Sequence, residues 1–259
     1  MELFDAENIL AGFLIFTRVA GMIMTAPFFS SAAFPARIKL FFALITSVML
    51  FPVIPAQNTE LSVESGMVSL AVVILIEVLT GVVLGLVGQL IFAGLEIAGR
   101  LISLKIALAF ADVVDTMTQD QSTLVSNLFS MLAVLVFLAI DGDKIYIDAL
   151  VKSYQVVPIS EGTVSVAGPA MLDMATWLFV IGVQIASPFL IVLFLLDLSL
   201  AIFARIMPQA NIMFIALPLK IGTGVILLLL ITPYFPAAFE LIFQRLFDFL
   251  LLIIELMGA

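Results

Sequence analysis

Apolar runs longer than a globular core can use dominate this chain. Residues 67–98 and 171–206 are almost wholly hydrophobic, and 8–28, 38–54, 121–140, 211–232 and 237–257 follow the same pattern. Stretches of about 18 or more mostly apolar residues read as membrane helices. The expected fold is therefore all-α: a polytopic membrane-type protein of about six or seven long hydrophobic helices. A hydrophobic share of 64% and a mean hydropathy of +1.31 exclude an ordinary soluble domain, whose apolar share is about 45–50%. Two runs are overlong. At 1.5 Å per residue, 67–95 would reach roughly 43 Å and 171–206 about 54 Å, against a hydrocarbon core near 30 Å. Tilt absorbs part of the excess, and Pro188 inside the longer run invites a kink. Packing that does not follow bilayer thickness is expected.

Charge is scarce, at 11% of residues, yet Arg18, Glu77, Asp197 and Lys220 lie near the middle of apolar runs. An ionised side chain at a bilayer centre costs roughly 2.5–3.5 kcal/mol, so four facing lipid would cost on the order of 10–14 kcal/mol. These groups either line a polar path or meet protein. Lys220, just after Pro218, either snorkels or pairs with an acid on a neighbouring helix or subunit. Arg205 complements the C-terminal dipole of its helix, and Pro208 ends it. Glu96 and Arg100, at i and i+4, read as a solvated surface pair. The series Glu77-x3-Gly81-x3-Gly85-x2-Gly88, followed by Ala93-Gly94 and Ala98-Gly99, forms a strip where another helix backbone approaches closely. That helix belongs either to the same bundle or to another subunit.

The chain has no Cys and no His, which removes thiol chemistry, the usual zinc sites and imidazole bases; no cofactor or metal is expected. A net charge of −9, without clustered Lys and Arg, argues against nucleic acid. No nucleophile elbow or phosphate-binding loop appears, so an enzyme is not expected. The N-terminus begins with three acids instead of positive charge, and the first apolar segment is expected to be retained. Arg37 and Lys39, Arg100 and Lys105, and Arg205 mark the expected cytoplasmic loops, with the N-terminus outside and the C-terminus inside. Ser30-Ser31 with Pro35, and Pro52 with Pro55, break the early segments, while Pro233 and Pro236 are expected to turn a final hairpin. Between the third and fourth segments, 106–121 is a small, apolar stretch interrupted by acids: a plain connector, or a re-entrant or pore-plugging element. No internal repeat is visible, which weighs against a secondary transporter or ion channel using the four charges as a relay.

The series Arg205-x2-Pro208-Gln209-x-Asn211-x6-Pro218-x-Lys220 resembles the FliR family, a core subunit of the flagellar type III protein-export gate. Arg18 with Thr25-Ala26-Pro27-Phe28, then Pro35-x-Arg37-x-Lys39, Glu77 with Gly81 and Gly85, Ala98-Gly99-x-Leu101-Ile102-Ser103-Leu104, Gln121 and Pro158 extend the resemblance over nearly the whole length. Lys105-Ile106-Ala107, Val113 and Gly142-Asp143 depart from the family pattern. The injectisome counterpart of the same gate is the alternative within the class.

The resemblance implies a helical hetero-oligomeric gate built with FliP-like and FliQ-like subunits, through which unfolded flagellar proteins pass. It implies one domain, with 1–210 FliP-like and 211–257 a FliQ-like terminal hairpin. A plug loop near 105–120 would carry Phe110, Asp112, Val113 and Asp115. Arg18, Glu77, Gly81, Gly85, Asp197, Arg205, Pro208, Gln209, Asn211, Pro218 and Lys220 would make assembly contacts. FlhA-like and FlhB-like components and membrane lipid would be further partners, at the bacterial inner membrane in the flagellar basal body.

Overall fold

A computed structural model of the chain describes residues 6–27, 35–54, 67–106, 123–159, 167–209 and 211–258, and among these every regular element is helical. The helices are α1 (Ala6–Thr25), α2 (Ala36–Leu50), α3 (Met67–Ile106), α4 (Leu124–Ala139), α5 (Gly142–Val156), α6 (Ala167–Ile206), α7 (Ile212–Ile231) and α8 (Phe235–Met257), with a 3-10 turn at Thr232–Tyr234. Four helical stretches are long and apolar enough to cross a membrane, or up to five if α4 and α5 form one broken span. The all-α, polytopic reading holds.

The long runs become longer helices than their apolar lengths indicated. Both α3 and α6 have 40 residues, about 60 Å at the helical rise and twice the hydrocarbon thickness. Helix α2, with 15 residues, reaches only about 22 Å. Pro188 sits inside α6 without ending it. A proline deprives the carbonyl four residues earlier of its donor; here that carbonyl, on Gln184, accepts a hydrogen bond from the Ser187 hydroxyl at 2.6 Å.

The final hairpin does not form where the prolines suggested it. Ile231, Thr232 and Phe235 keep right-handed helical backbone angles, and Phe214–Met257 continues as one helical passage of 44 residues. The reason is local. Pro233 falls at the start of the 3-10 turn and Pro236 in the first turn of α8, positions where a missing N–H costs nothing because no intrahelical acceptor awaits it. Reversal needs residues outside the helical basin, and these prolines sit comfortably within it.

Two compact units emerge, one of residues 1–91, 141–175 and 243–259, the other of 92–140 and 176–242. In the first, α1 lies against the small-residue strip of α3, and α5 adds a face unanticipated from hydropathy. Its buried residues, Tyr146, Ala149, Leu150, Ser153 and Tyr154, recur at helical spacing, while Asp143, Lys144, Asp148 and Gln155 face outward. The C-terminal part of α8 is similarly two-sided. Phe243, Leu246, Leu250, Ile253 and Ile254 are buried, whereas Gln244, Arg245, Asp248 and Glu255 are exposed. Such a division belongs to a helix with water or polar protein on its far side.

In the second unit, Phe129 of α4 meets Phe235 and Phe239 edge-on, with centroids 4.7 and 5.9 Å away. Helix α3 crosses α6 at Gly94, where a Cβ would lie 3.2 Å from the Leu178 backbone oxygen. It crosses α4 at Gly99, against Ser126. Large apolar side chains remain outward on α6 and α7, among them Ile202, Ile206, Phe214 and Leu229, each more than 60% exposed. Only 6% of the most apolar window of Phe214–Met257 is buried.

Candidate functional site

The mid-segment charges resolve into two ion pairs. Arg18 of α1 and Glu77 of α3 have no exposed side-chain surface. The arginine donates from Nε to Glu77 Oε2 at 2.6 Å and from Nη2 to Oε1 at 3.1 Å, a forked geometry matching the planar guanidinium to the carboxylate. Its remaining nitrogen, Nη1, donates to the Ser153 hydroxyl at 3.3 Å and to the Val157 carbonyl at 3.1 Å. The guanidinium carbon lies 4.1 Å from the centre of the Tyr154 ring, within cation–π range. Tyr154 in turn donates to the Ile15 carbonyl at 3.1 Å. One side chain thus ties α1, α3 and α5 together, with its charge matched and its donors engaged.

The glycine strip supplies the approach that makes this pair possible. A Cβ on Gly81 would collide with the Arg18 carbonyl oxygen, and one on Gly85 with the Thr25 hydroxyl and the Met22 carbonyl. From the other side, a Cβ on Gly21 would stand 2.6 Å from the Val78 carbonyl. Glycines on both helices therefore let the backbones touch, the small-residue packing familiar from membrane helices. The choice that the sequence left open is settled for Gly81 and Gly85: α1 of the same chain fills their strip. One turn further on, Gly88 leaves room for the Tyr146 side chain.

In the second unit, Lys220 of α7 pairs with Asp197 of α6 at 2.5 Å; the side chains are 25% and 36% exposed. Lys220 thus finds its acid on a neighbouring helix of the same chain. Arg205, Pro208, Gln209 and Asn211 stand exposed around the junction of α6 and α7, and Pro218 is exposed on α7. Asn211 is the N-cap residue of α7 but makes no side-chain cap. Glu96 and Arg100 form the expected surface pair at 2.7 Å, half exposed. Phe110, Asp112, Val113 and Asp115 lie outside the described residues. The helix ends flanking them are joined: the Ser103 hydroxyl donates to Thr123 Oγ1 at 2.8 Å, and Thr123 caps α4 by accepting from the Ser126 amide at 3.3 Å. Among the described residues no cluster of three or more acidic side chains is placed to hold a metal ion.

Sequence reasoning found Arg18 and Glu77 but missed their company. Ser153, Tyr154 and Val157 belong to a segment too polar to register as an apolar run. The signal available was the spacing of Tyr146, Ala149, Leu150, Ser153 and Tyr154 on one helical face.

Comparison with known proteins gives a consistent set of sequence relatives. The sequence pattern of bacterial export proteins, family 1, matches residues 9–246. A flagellar biosynthetic protein FliR of Caulobacter vibrioides is 35% identical over 84% of this chain and 86% of its own length. The proteins of the same name from Pectobacterium carotovorum and Aquifex aeolicus are each 31% identical. The first match covers 91% of this chain and 89% of the relative, the second 95% of both.

Proposed function

The chain belongs to the FliR family of bacterial export proteins, a component of the flagellar export apparatus, and on that premise we propose that it is a core subunit of the export gate. With FliP-like and FliQ-like subunits it forms the channel through which unfolded flagellar proteins leave the cytoplasm. It works at the inner membrane, in the flagellar basal body, alongside FlhA-like and FlhB-like components. Its role is structural and conductive, with no catalytic step.

The observation that carries this reading is the mismatch between helix length and bilayer thickness. Helices α3 and α6 run about 60 Å, yet α6 keeps large apolar side chains outward from Phe179 to Ile206. A hydrocarbon layer of about 30 Å covers half such a helix. The remaining apolar surface needs protein around it, because an uncovered patch on this scale drives association. The polar outward face of α8 points the same way, since lipid is a poor neighbour for Arg245, Asp248 and Glu255. A transporter relay is less well supported, as the four charges close into pairs. The relatives' flagellar names favour a flagellar gate over an injectisome one.

Co-purification of the tagged chain tests the proposal. FliP-like and FliQ-like subunits are expected at fixed ratio, and the reconstituted complex is expected to conduct once its plug is opened. Phe110→Gly combined with deletion of 112–115 should raise leakage of small ions through the assembled gate. A chain that is stable and transports by itself, or a complex without conductance after this change, contradicts the reading.

A further inference from the structure

A cleft of about 430 Å³ opens between α1 and α2 in the first unit, lined by Gly12, Phe13, Phe16, Leu44, Val48 and Phe51, with Ser47 beside them. Gly12 lines it with free space above its Cα: a Cβ there would make only ordinary contact with the Phe51 ring, at 3.7 Å. The one hydroxyl in the lining, that of Ser47, donates to the Leu44 carbonyl at 2.8 Å. The walls are aromatic and aliphatic, so the matching occupant is hydrocarbon.

The helix α2 extends this cleft to a charged end. Arg37, Phe41, Leu44, Val48 and Phe51 recur at alternating steps of four and three, which places them along one face. Phe41 and Val48 on that stripe are 61% and 67% exposed. Arg37, at its head, is exposed, and neither it nor Lys39 makes an ion pair among the described residues. From Arg37 to Val48 the helical rise gives about 17 Å, close to the roughly 15 Å depth of one leaflet's hydrocarbon.

The geometry points to a binding site for an anionic phospholipid, with its phosphate on Arg37 and one acyl chain lying along the α2 stripe into the cleft. The cationic end selects the headgroup, and the apolar cleft holds the tail. The site is independent of the gate proposal, because it is read in the chain's lipid contacts and not in export.

The test uses the full-length chain carrying Trp177→Phe and Phe13→Trp, so that the cleft holds the sole indole, reconstituted in bilayers with and without its co-purifying subunits. Phosphatidylglycerol or phosphatidylcholine brominated on the acyl chain serves as the quenching probe. Quenching of the cleft indole is expected at about five-fold lower mole fraction of the anionic lipid, the worth of one cation at an anionic surface. Arg37→Gln should erase that preference, and Gly12→Leu, which fills the cleft, should abolish the quenching. Equal quenching by both headgroups, or a preference that survives Arg37→Gln, overturns the headgroup assignment and with it the site. Quenching that disappears only when partner subunits are present shows a protein interface instead, and also overturns the proposal. Should Gly12→Leu fail to fold, the Arg37→Gln comparison decides alone.

Discussion

Removing the Glu77 carboxylate while leaving Arg18 in place isolates the energetics of the first unit. In Glu77→Ala, the guanidinium loses both bonds of its forked pair and keeps only Ser153, the Val157 carbonyl and the Tyr154 ring. Neither partner has exposed surface, so solvent cannot replace the lost carboxylate without the helices moving apart. Breaking a buried pair by deleting one member costs about 3–5 kcal/mol. That is roughly two to four orders of magnitude in a folding equilibrium, at about 1.4 kcal/mol per tenfold step. Replacing both members by apolar groups, as in Arg18→Met with Glu77→Leu, removes the orphaned charge and should cost far less, because apolar substitutes for buried pairs are often neutral or better. The readout is reversible unfolding in detergent, followed by tryptophan fluorescence and repeated for each corner of the double-mutant cycle. A cost below about 1 kcal/mol for Glu77→Ala, in the range of a surface pair, refutes the argument, since it would mean that Arg18 reaches water when unpaired.

Other perturbations separate packing from charge. Gly81→Leu should destabilise by at least the roughly 1–3 kcal/mol of an overpacked core, because its side chain meets Arg18 backbone; Gly222→Ala, with open space around its Cβ, should be neutral or slightly stabilising. Thermal unfolding of the two variants side by side distinguishes them. Asp197→Ala strands Lys220 among apolar side chains and should lower the yield of assembled complex, whereas the charge swap Asp197→Lys with Lys220→Asp should restore it; an unaffected single variant argues against the pair. Thr123→Ala removes the cap of α4, worth about 1 kcal/mol, and should accelerate hydrogen exchange at the Ser126 amide by roughly five-fold, as read by mass spectrometry.

The helical architecture was legible because lipid-scale apolar runs admit few alternatives, and α3 begins and α6 ends where hydropathy placed them. The ion pairs were half legible. Their charges stood out against an apolar background, but the partnership of residues 59 positions apart has no local signature. Helix α5 escaped notice because its buried face is broken by Ser153 and two tyrosines, which lowers hydropathy while preserving helical spacing. The proline pair at 233 and 236 misled for a different reason. Proline is costly in the interior of a helix but suits its first turn, and sequence alone does not say which of these positions it occupies.

The Arg18 network also bears on how the chain is made. Arg18 emerges from the ribosome 59 residues before Glu77 and 135 before Ser153. At about 5–20 residues per second, the arginine waits roughly 3–12 s for its carboxylate and about 7–27 s for its hydroxyl partner. During that interval α1 carries an uncompensated cation whose place in lipid costs roughly 2.5–3.5 kcal/mol. Synthesis of the third helix therefore delivers the carboxylate that offsets this cost for the first.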